Sequence, residues 1–245
     1  MNRLPVRALL PLTLGLSVIL ACGDSYPPQS DEGLDLVVVF DTSGSMDDAV
    51  LDAAGGRSPK HVIGARALAS VVARVEEYAR PGSSHPRQVR SGLVVFRSGG
   101  AAEAVPFGPF DAAALRSWLH AGVTPRGSTP LGRSLEMAAQ QVLASPLSRN
   151  HILVITDGMN TTGPDPKAVI PQIQSRAEAL ATAIGVHFIA FDIAAALFDE
   201  LRQHDVTVVA AADEIQLSDQ LSFIMEQKIL LESEEPAQPD SFHTQ

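Results

Sequence analysis

The sequence is poor in the residues that would point to several common functions. It has one cysteine, Cys22, which rules out an internal disulfide and any multi-thiolate zinc site. Aromatic residues make up only 5% of the chain, with one tryptophan and two tyrosines. So few aromatics, with abundant Ala, Val, Leu and Ile, suit a parallel sheet covered by helices better than an aromatic-rich sandwich. Positive charge is scarce too: 18 Lys and Arg face 28 Asp and Glu, for a formal charge of −10. A nucleic-acid partner is therefore not expected, because phosphate contacts need clustered Lys and Arg. The seven histidines show no metal-ligand spacing and no HExxH. No G-x-S-x-G nucleophile elbow and no internal repeat is present.

The amino terminus carries Arg3 and Arg7 without an acid, then an apolar run from Ala8 to Ala21, then Cys22. That run is too short to span a bilayer and has the layout of a secretory signal peptide. Ile19-Leu20-Ala21-Cys22 resembles the lipobox of bacterial lipoproteins. The resemblance implies cleavage after residue 21 and lipid on Cys22, which would hold a soluble domain on a membrane without a spanning helix. Gly23 rather than Asp follows the cysteine, which in lipoproteins of enteric type implies the outer membrane. The expected location is an exported, membrane-anchored lipoprotein at the outer membrane or facing the periplasm. Residues 22–33 read as the lipidated cysteine and a polar tether. Residues 34–231 read as one folded domain, and residues 232–245 as an acidic, disordered tail.

Within the domain, apolar strands alternate with amphipathic helices. Strands are expected at Leu34–Phe40, in Gln88–Phe96, at His151–Thr156, at Val186–Asp192 and at Val206–Ala210, with a short edge strand at Glu103–Phe107. Helices are expected over 61–79, from the Asp111 cap to His120, and over 131–143, 167–184, 195–203 and 215–230. Residues 41–60 read as one long loop, and Trp118 as a packing residue. The fold class is α/β, a doubly wound, mostly parallel sheet with helices on both faces. Such sheets bind ligands beyond the carboxyl ends of their strands.

Three polar clusters follow apolar strands or precede a helix. They are Asp41-Thr42-Ser43-Gly44-Ser45, Gly127-Ser128-Thr129-Pro130 and Thr156-Asp157-Gly158. Asp41, Ser43 and Ser45 alternate, so their side chains point one way in extended chain, and Gly44 lets the loop curl. Each cluster alone could be a turn or a helix start; together, three loops offer five hard oxygen ligands. Asp41, Ser43, Ser45, Thr129 and Asp157 suit Mg²⁺, Mn²⁺ or Ca²⁺ rather than zinc or copper. With three neutral hydroxyls and two carboxylates, a bound ion keeps attraction for an outside anionic oxygen.

DTSGS at 41–45, the threonine of GSTPLG at 129 and the aspartate of ITDG at 157 resemble the metal-ion-dependent adhesion site (MIDAS) of von Willebrand factor A domains. The resemblance covers roughly Leu34 to Leu230. It implies a Rossmann-like six-stranded fold. It also implies that Ser43, Ser45 and Thr129 touch the ion, that Asp41 and Asp157 act directly or through water, and that a partner protein's Asp or Glu carboxylate completes the coordination. Integrin-type domains place an acid pair near the position of Asp47-Asp48 to hold a second ion; here the offset is one residue shorter, and a solvated loop is the expectation.

No catalytic base or nucleophile stands beside this constellation, so a binding module and not an enzyme is expected. One alternative is a Mg²⁺-dependent phosphohydrolase with Asp41 as nucleophile, a layout similar to the haloacid-dehalogenase superfamily. Ser43 stands where that family has a second aspartate, and no buried lysine is evident among Lys60, Lys167 and Lys228. Another alternative is a structural subunit of an envelope assembly, in which the ion only stiffens the domain.

Overall fold

The computed structural model describes residues 31–80, 88–97 and 100–230. The signal peptide, Cys22, most of the tether and the acidic tail lie outside the described residues. Among the described residues, no helix is long and apolar enough to cross a membrane.

The main sheet has six strands: β1 (Asp31–Phe40), β4 (Gln88–Arg97), β5 (Gly100–Pro109), β6 (Leu147–Thr156), β7 (Ala183–Phe191) and β8 (Thr207–Ala211). Their order is β5-β4-β1-β6-β7-β8, and only β5 runs antiparallel to its neighbour. β5 is the expected edge strand, longer than foreseen; Pro106 and Pro109 are tolerated because an edge leaves part of the ladder unpaired. β1 begins ahead of Leu34, within the segment read as tether.

Leu34, Leu36, Val38 and Phe40 of β1 face one core, and Val37 and Val39 face the other. Burial on both faces explains why these strands read as continuous apolar runs. Helices α1 (Lys60–Tyr78), α2 (Ala112–Ala121) and α6 (Glu214–Ile224) cover the first face. Helices α3 (Leu131–Val142), α4 (Pro166–Ala179) and the short α5 (Asp199–Arg202) cover the second. Gly64 of α1 is required by close approach, since a Cβ there would sit 2.7 Å from the Phe40 ring. Trp118 packs edge-on against Phe40 with ring centroids 5.9 Å apart, the packing role expected of it.

Several boundaries differ from expectation. The segment 41–60 is not one loop. It holds a 3-10 turn at Gly44–Asp47 and a small hairpin, β2 (Ala49–Leu51) with β3 (Arg57–Pro59). Three-residue strands show no readable alternation, and the turn between them is ordered by Asp52, whose carboxylate accepts the Ala54 and Gly56 N–H groups. α4 stops at Ala179 instead of reaching Ile184; Ala181 at φ 52° turns the chain into β7. The expected helix over 195–203 is a 3-10 turn followed by α5, and the last helix ends in a π segment over Met225–Ile229. Asp111 does cap α2, accepting the Ala114 N–H at 2.9 Å.

Candidate functional site

Strand order reverses between β1 and β6, and that is where a doubly wound sheet opens a crevice. Asp41 directly follows β1, and Asp157 directly follows β6. The first and third sequence clusters therefore meet at the reversal. Two backbone bonds fasten the second cluster beside the first: Gly44 N–H donates to Gly127 O at 3.2 Å, and Arg126 N–H to Thr42 O at 2.9 Å. Gly127 sits at φ 81°, a conformation that favours glycine.

All five expected residues come to this one end of the sheet. Ser43 Oγ and Ser45 Oγ lie 3.3 Å apart, and Ser45 Oγ donates to Asp157 Oδ1 at 2.8 Å. Asp41 accepts the Ser43 N–H at 2.7 Å on one oxygen and the Thr156 hydroxyl at 2.6 Å on the other. Thr129 does not cap α3; Pro130 holds the N-cap position without a side-chain bond, so the Thr129 hydroxyl is not spent there. It lies beside Gly158, where a Cβ would come within 3.4 Å of Thr129 Oγ1. Asp41, Ser43, Thr129 and Asp157 are buried, while Ser45 is exposed at the mouth. Burial pushes the Asp41 carboxyl up to about 6, against the lowering effect of its hydrogen bonds with Ser43 and Thr156.

The donor set fits a hard divalent ion. Adjacent oxygens about an octahedral ion with bonds of about 2.1 Å stand about 3 Å apart, close to the separation of the two serine hydroxyls. Among the described residues, no group of three or more His, Cys, Asp and Glu could hold a metal, so any ion here depends on the hydroxyls. Asp47 and Asp48 are exposed, and the Asp47 carboxylate, 3.8 Å from His61 Nδ1, does not converge with the others.

Four residues take supporting roles that the sequence did not assign, although Thr156 stands in the third cluster. Thr156 braces Asp41. Thr161 clasps the second loop, accepting the Thr129 N–H on its hydroxyl at 2.8 Å and donating its own N–H to Thr129 O at 2.9 Å. Lys60 overturns the expectation that no buried lysine is present. Only 6% of its side chain is exposed, and its Nζ lies 2.9 Å from Asp157 Oδ2 and 3.1 Å from Asp192 Oδ2. Burial alone would lower its pKa, but its two carboxylate partners outweigh that and raise it. Asp192, read from sequence as the end of a strand, instead leaves β7 at φ 55° and turns toward the site. The lysine signal was faint, because nothing in the sequence tells a salt-bridged lysine at a helix start from a solvated one.

The family model for the von Willebrand factor type A domain matches residues 35–219. The chain belongs to this family. No match was found among curated protein sequences. Among solved structures, the vWA domain resembles the PilB minor pilin from Streptococcus sanguinis at 18% identity and TM-score 0.61, covering 84% of this chain and 63% of the pilin. The chain thus spans less than two thirds of that pilin. It also resembles the vWF domain of a type V pili tip protein from Porphyromonas gingivalis at 15% identity and TM-score 0.54, covering 79% of this chain and 94% of that one. A third likeness is proximal thread matrix protein 1 from the mussel byssus, solved with a zinc-occupied MIDAS motif: 16% identity, TM-score 0.57, 80% of this chain and 48% of that one. At these identities the likeness is one of fold.

Proposed function

We propose that the protein is a lipid-anchored envelope protein whose vWA domain binds a partner protein through one divalent ion held by Asp41, Ser43, Ser45, Thr129 and Asp157. The observation that carries this reading is the convergence of three separate loops on the crevice between β1 and β6, with Ser45 bonded to Asp157 across it. A bound ion would supply an electrophilic centre for an Asp or Glu carboxylate of the partner. The residues themselves do the positioning: Thr156 fixes Asp41, Thr161 fixes the Thr129 loop, and exposed Ser45 marks the open side. Met159 and Leu197, both exposed, border a cavity of about 100 Å³ in the adjoining loops and give a partner apolar contact beside the ion. Mg²⁺ is the favoured occupant, with Mn²⁺ or Ca²⁺ as alternatives; the mussel protein's zinc belongs to that protein.

The anchor rests on the signal-peptide layout and Cys22, with the residues between Cys22 and β1 as tether and 232–245 as an acidic tail. Pilus proteins among the structural neighbours agree with an envelope setting. A phosphohydrolase reading gains a buried lysine but not a free nucleophile, since both Asp41 oxygens already accept hydrogen bonds. An ion that only stiffens the domain is separated from an ion that binds by the experiment itself. Capture of envelope proteins on the immobilised full chain is compared in Mg²⁺, in EDTA and with Thr129→Ala. The expected result is a partner recovered only by the wild type in Mg²⁺. Equal recovery in all three would overturn the reading.

A further inference from the structure

Lys60 places a fixed positive charge on a residue of the candidate metal site, and the five-residue motif does not contain it. Its ammonium takes the oxygen of Asp157 that Ser45 leaves, so one carboxylate is shared between the hydroxyl side and a lysine. The Asp157 side chain has no exposed surface and that of Lys60 has 6%, so the pairing is shielded from solvent. Asp192 holds the ammonium from the other side, with 42% of its own side chain exposed. Shielded charges interact strongly, and a lysine ammonium cannot withdraw from this pair without leaving Asp157 buried alone.

We propose that Lys60 is an internal counter-cation that keeps the divalent ion at this site weakly held and the filled site from becoming net negative, with Asp192 moderating the lysine's charge. This rests on the metal-binding reading above. Asp41, Asp157 and Asp192 bring three negative charges and Lys60 one positive, so a divalent ion brings the set to neutral, with Asp192 standing on the far side of the lysine from Asp157. Without Lys60 the same set with its ion would carry one net negative charge, which would hold the ion tighter and attract a partner carboxylate less. In the metal-free protein the same ammonium holds Asp157 in place for Ser45, so the pocket is formed before an ion arrives. Lys60 is a positioning residue that sets the ion's affinity through Asp157.

The test is calorimetric titration of the metal-free full chain, in detergent, with Mn²⁺. Lys60→Met is expected to bind Mn²⁺ about tenfold tighter than wild type while melting at a lower temperature without metal. Asp192→Asn, which leaves the lysine less compensated, is expected to bind several-fold weaker. A lysine with a merely structural role would instead lower affinity and stability together. Wild-type binding with Lys60→Met unchanged or weaker overturns the proposal and leaves the metal reading standing. If Lys60→Met does not fold, Asp192→Asn decides, and unchanged or tighter binding overturns it. Binding seen only in Lys60→Met overturns it, since the wild type then holds no ion for the lysine to weaken. No Mn²⁺ binding by any of the three folded proteins sinks the metal reading and this proposal together.

Discussion

β1 buries an aspartate in its amino-terminal half and is followed by another at its carboxyl end, and the two are treated differently. Asp35 and Asp41 both have no exposed surface, and burial pushes both carboxyls up to about 6. Asp41 has a hydrogen bond on each oxygen, and its neighbours Ser45, Asp157 and Lys60 are joined to one another. Neither Asp35 oxygen has a well-formed hydrogen bond; against burial it has only the nearby Ser145 hydroxyl and Arg90, whose Nε stands 3.8 Å away. Among the described residues, the other buried polar atoms without a partner belong to Arg90, Gln141, Asn150 and His187, and none belongs to the five site residues, Thr156 or Lys60. Polar burial at the carboxyl end is organised around a common centre, while at the amino end it is a cost the cores absorb. The difference separates a built site from a chance polar cluster.

The largest test of this contrast is Lys60→Met. Without metal, it leaves Asp157 buried and unpaired and should cost about 3 kcal/mol, read by urea unfolding. Thr156→Val comes next. It removes one of the two bonds to Asp41 and should cost about 2 kcal/mol by the same measurement. If either variant is as stable as wild type, the carboxyl end is no better organised than the amino end.

Asp35→Asn should go the other way and stabilise the protein at pH 7 by about 1 kcal/mol, since it removes a buried charge with little compensation. Its pH dependence sharpens the point. A carboxyl raised to about 6 in the folded state favours folding as pH falls from 6 toward its unfolded value. The part-buried pair His151 and His187 works against it. Burial, the neighbouring ring and Arg149 hold His151 down to about 3, and burial with Lys228 holds His187 down to about 4. Depressed histidines contribute stability that is complete above about 6.5 and is lost as pH falls toward their folded values. Removing the opposing Asp35 should therefore steepen the acid loss of stability between pH 6 and 4, by roughly 1 kcal/mol per pH unit. A parallel pair of curves would break this account of the amino end. The smallest effect is Gly127→Ala: a Cβ there meets nothing within 4 Å, so only the positive φ is penalised, by about 1 kcal/mol.

The fold was legible because burial on both faces of the central strands writes unbroken apolar runs, and amphipathic helices separate them. The site was legible as a motif because Asp41, Ser43 and Ser45 lie close together, with Thr129 and Asp157 each in a short polar cluster beside its own element. Its supports were not. Lys60 reaches Asp157 across 97 residues and Thr156 reaches Asp41 across 115, contacts that exist only once the sheet is assembled. The β2–β3 hairpin was missed because three residues are too few to show a period, and Asp192 because its left-handed turn has no glycine to announce it.

The proposed occupant of the crevice between β1 and β6 is a functional divalent ion. The most direct measurement is Mg²⁺ titration of the metal-free full chain, followed by calorimetry, beside Thr129→Ala and Ser45→Ala. One ion per wild-type chain is expected, with at least tenfold weaker binding in both variants and the fold intact by circular dichroism. No binding by the wild type, or equal binding by all three, would contradict it.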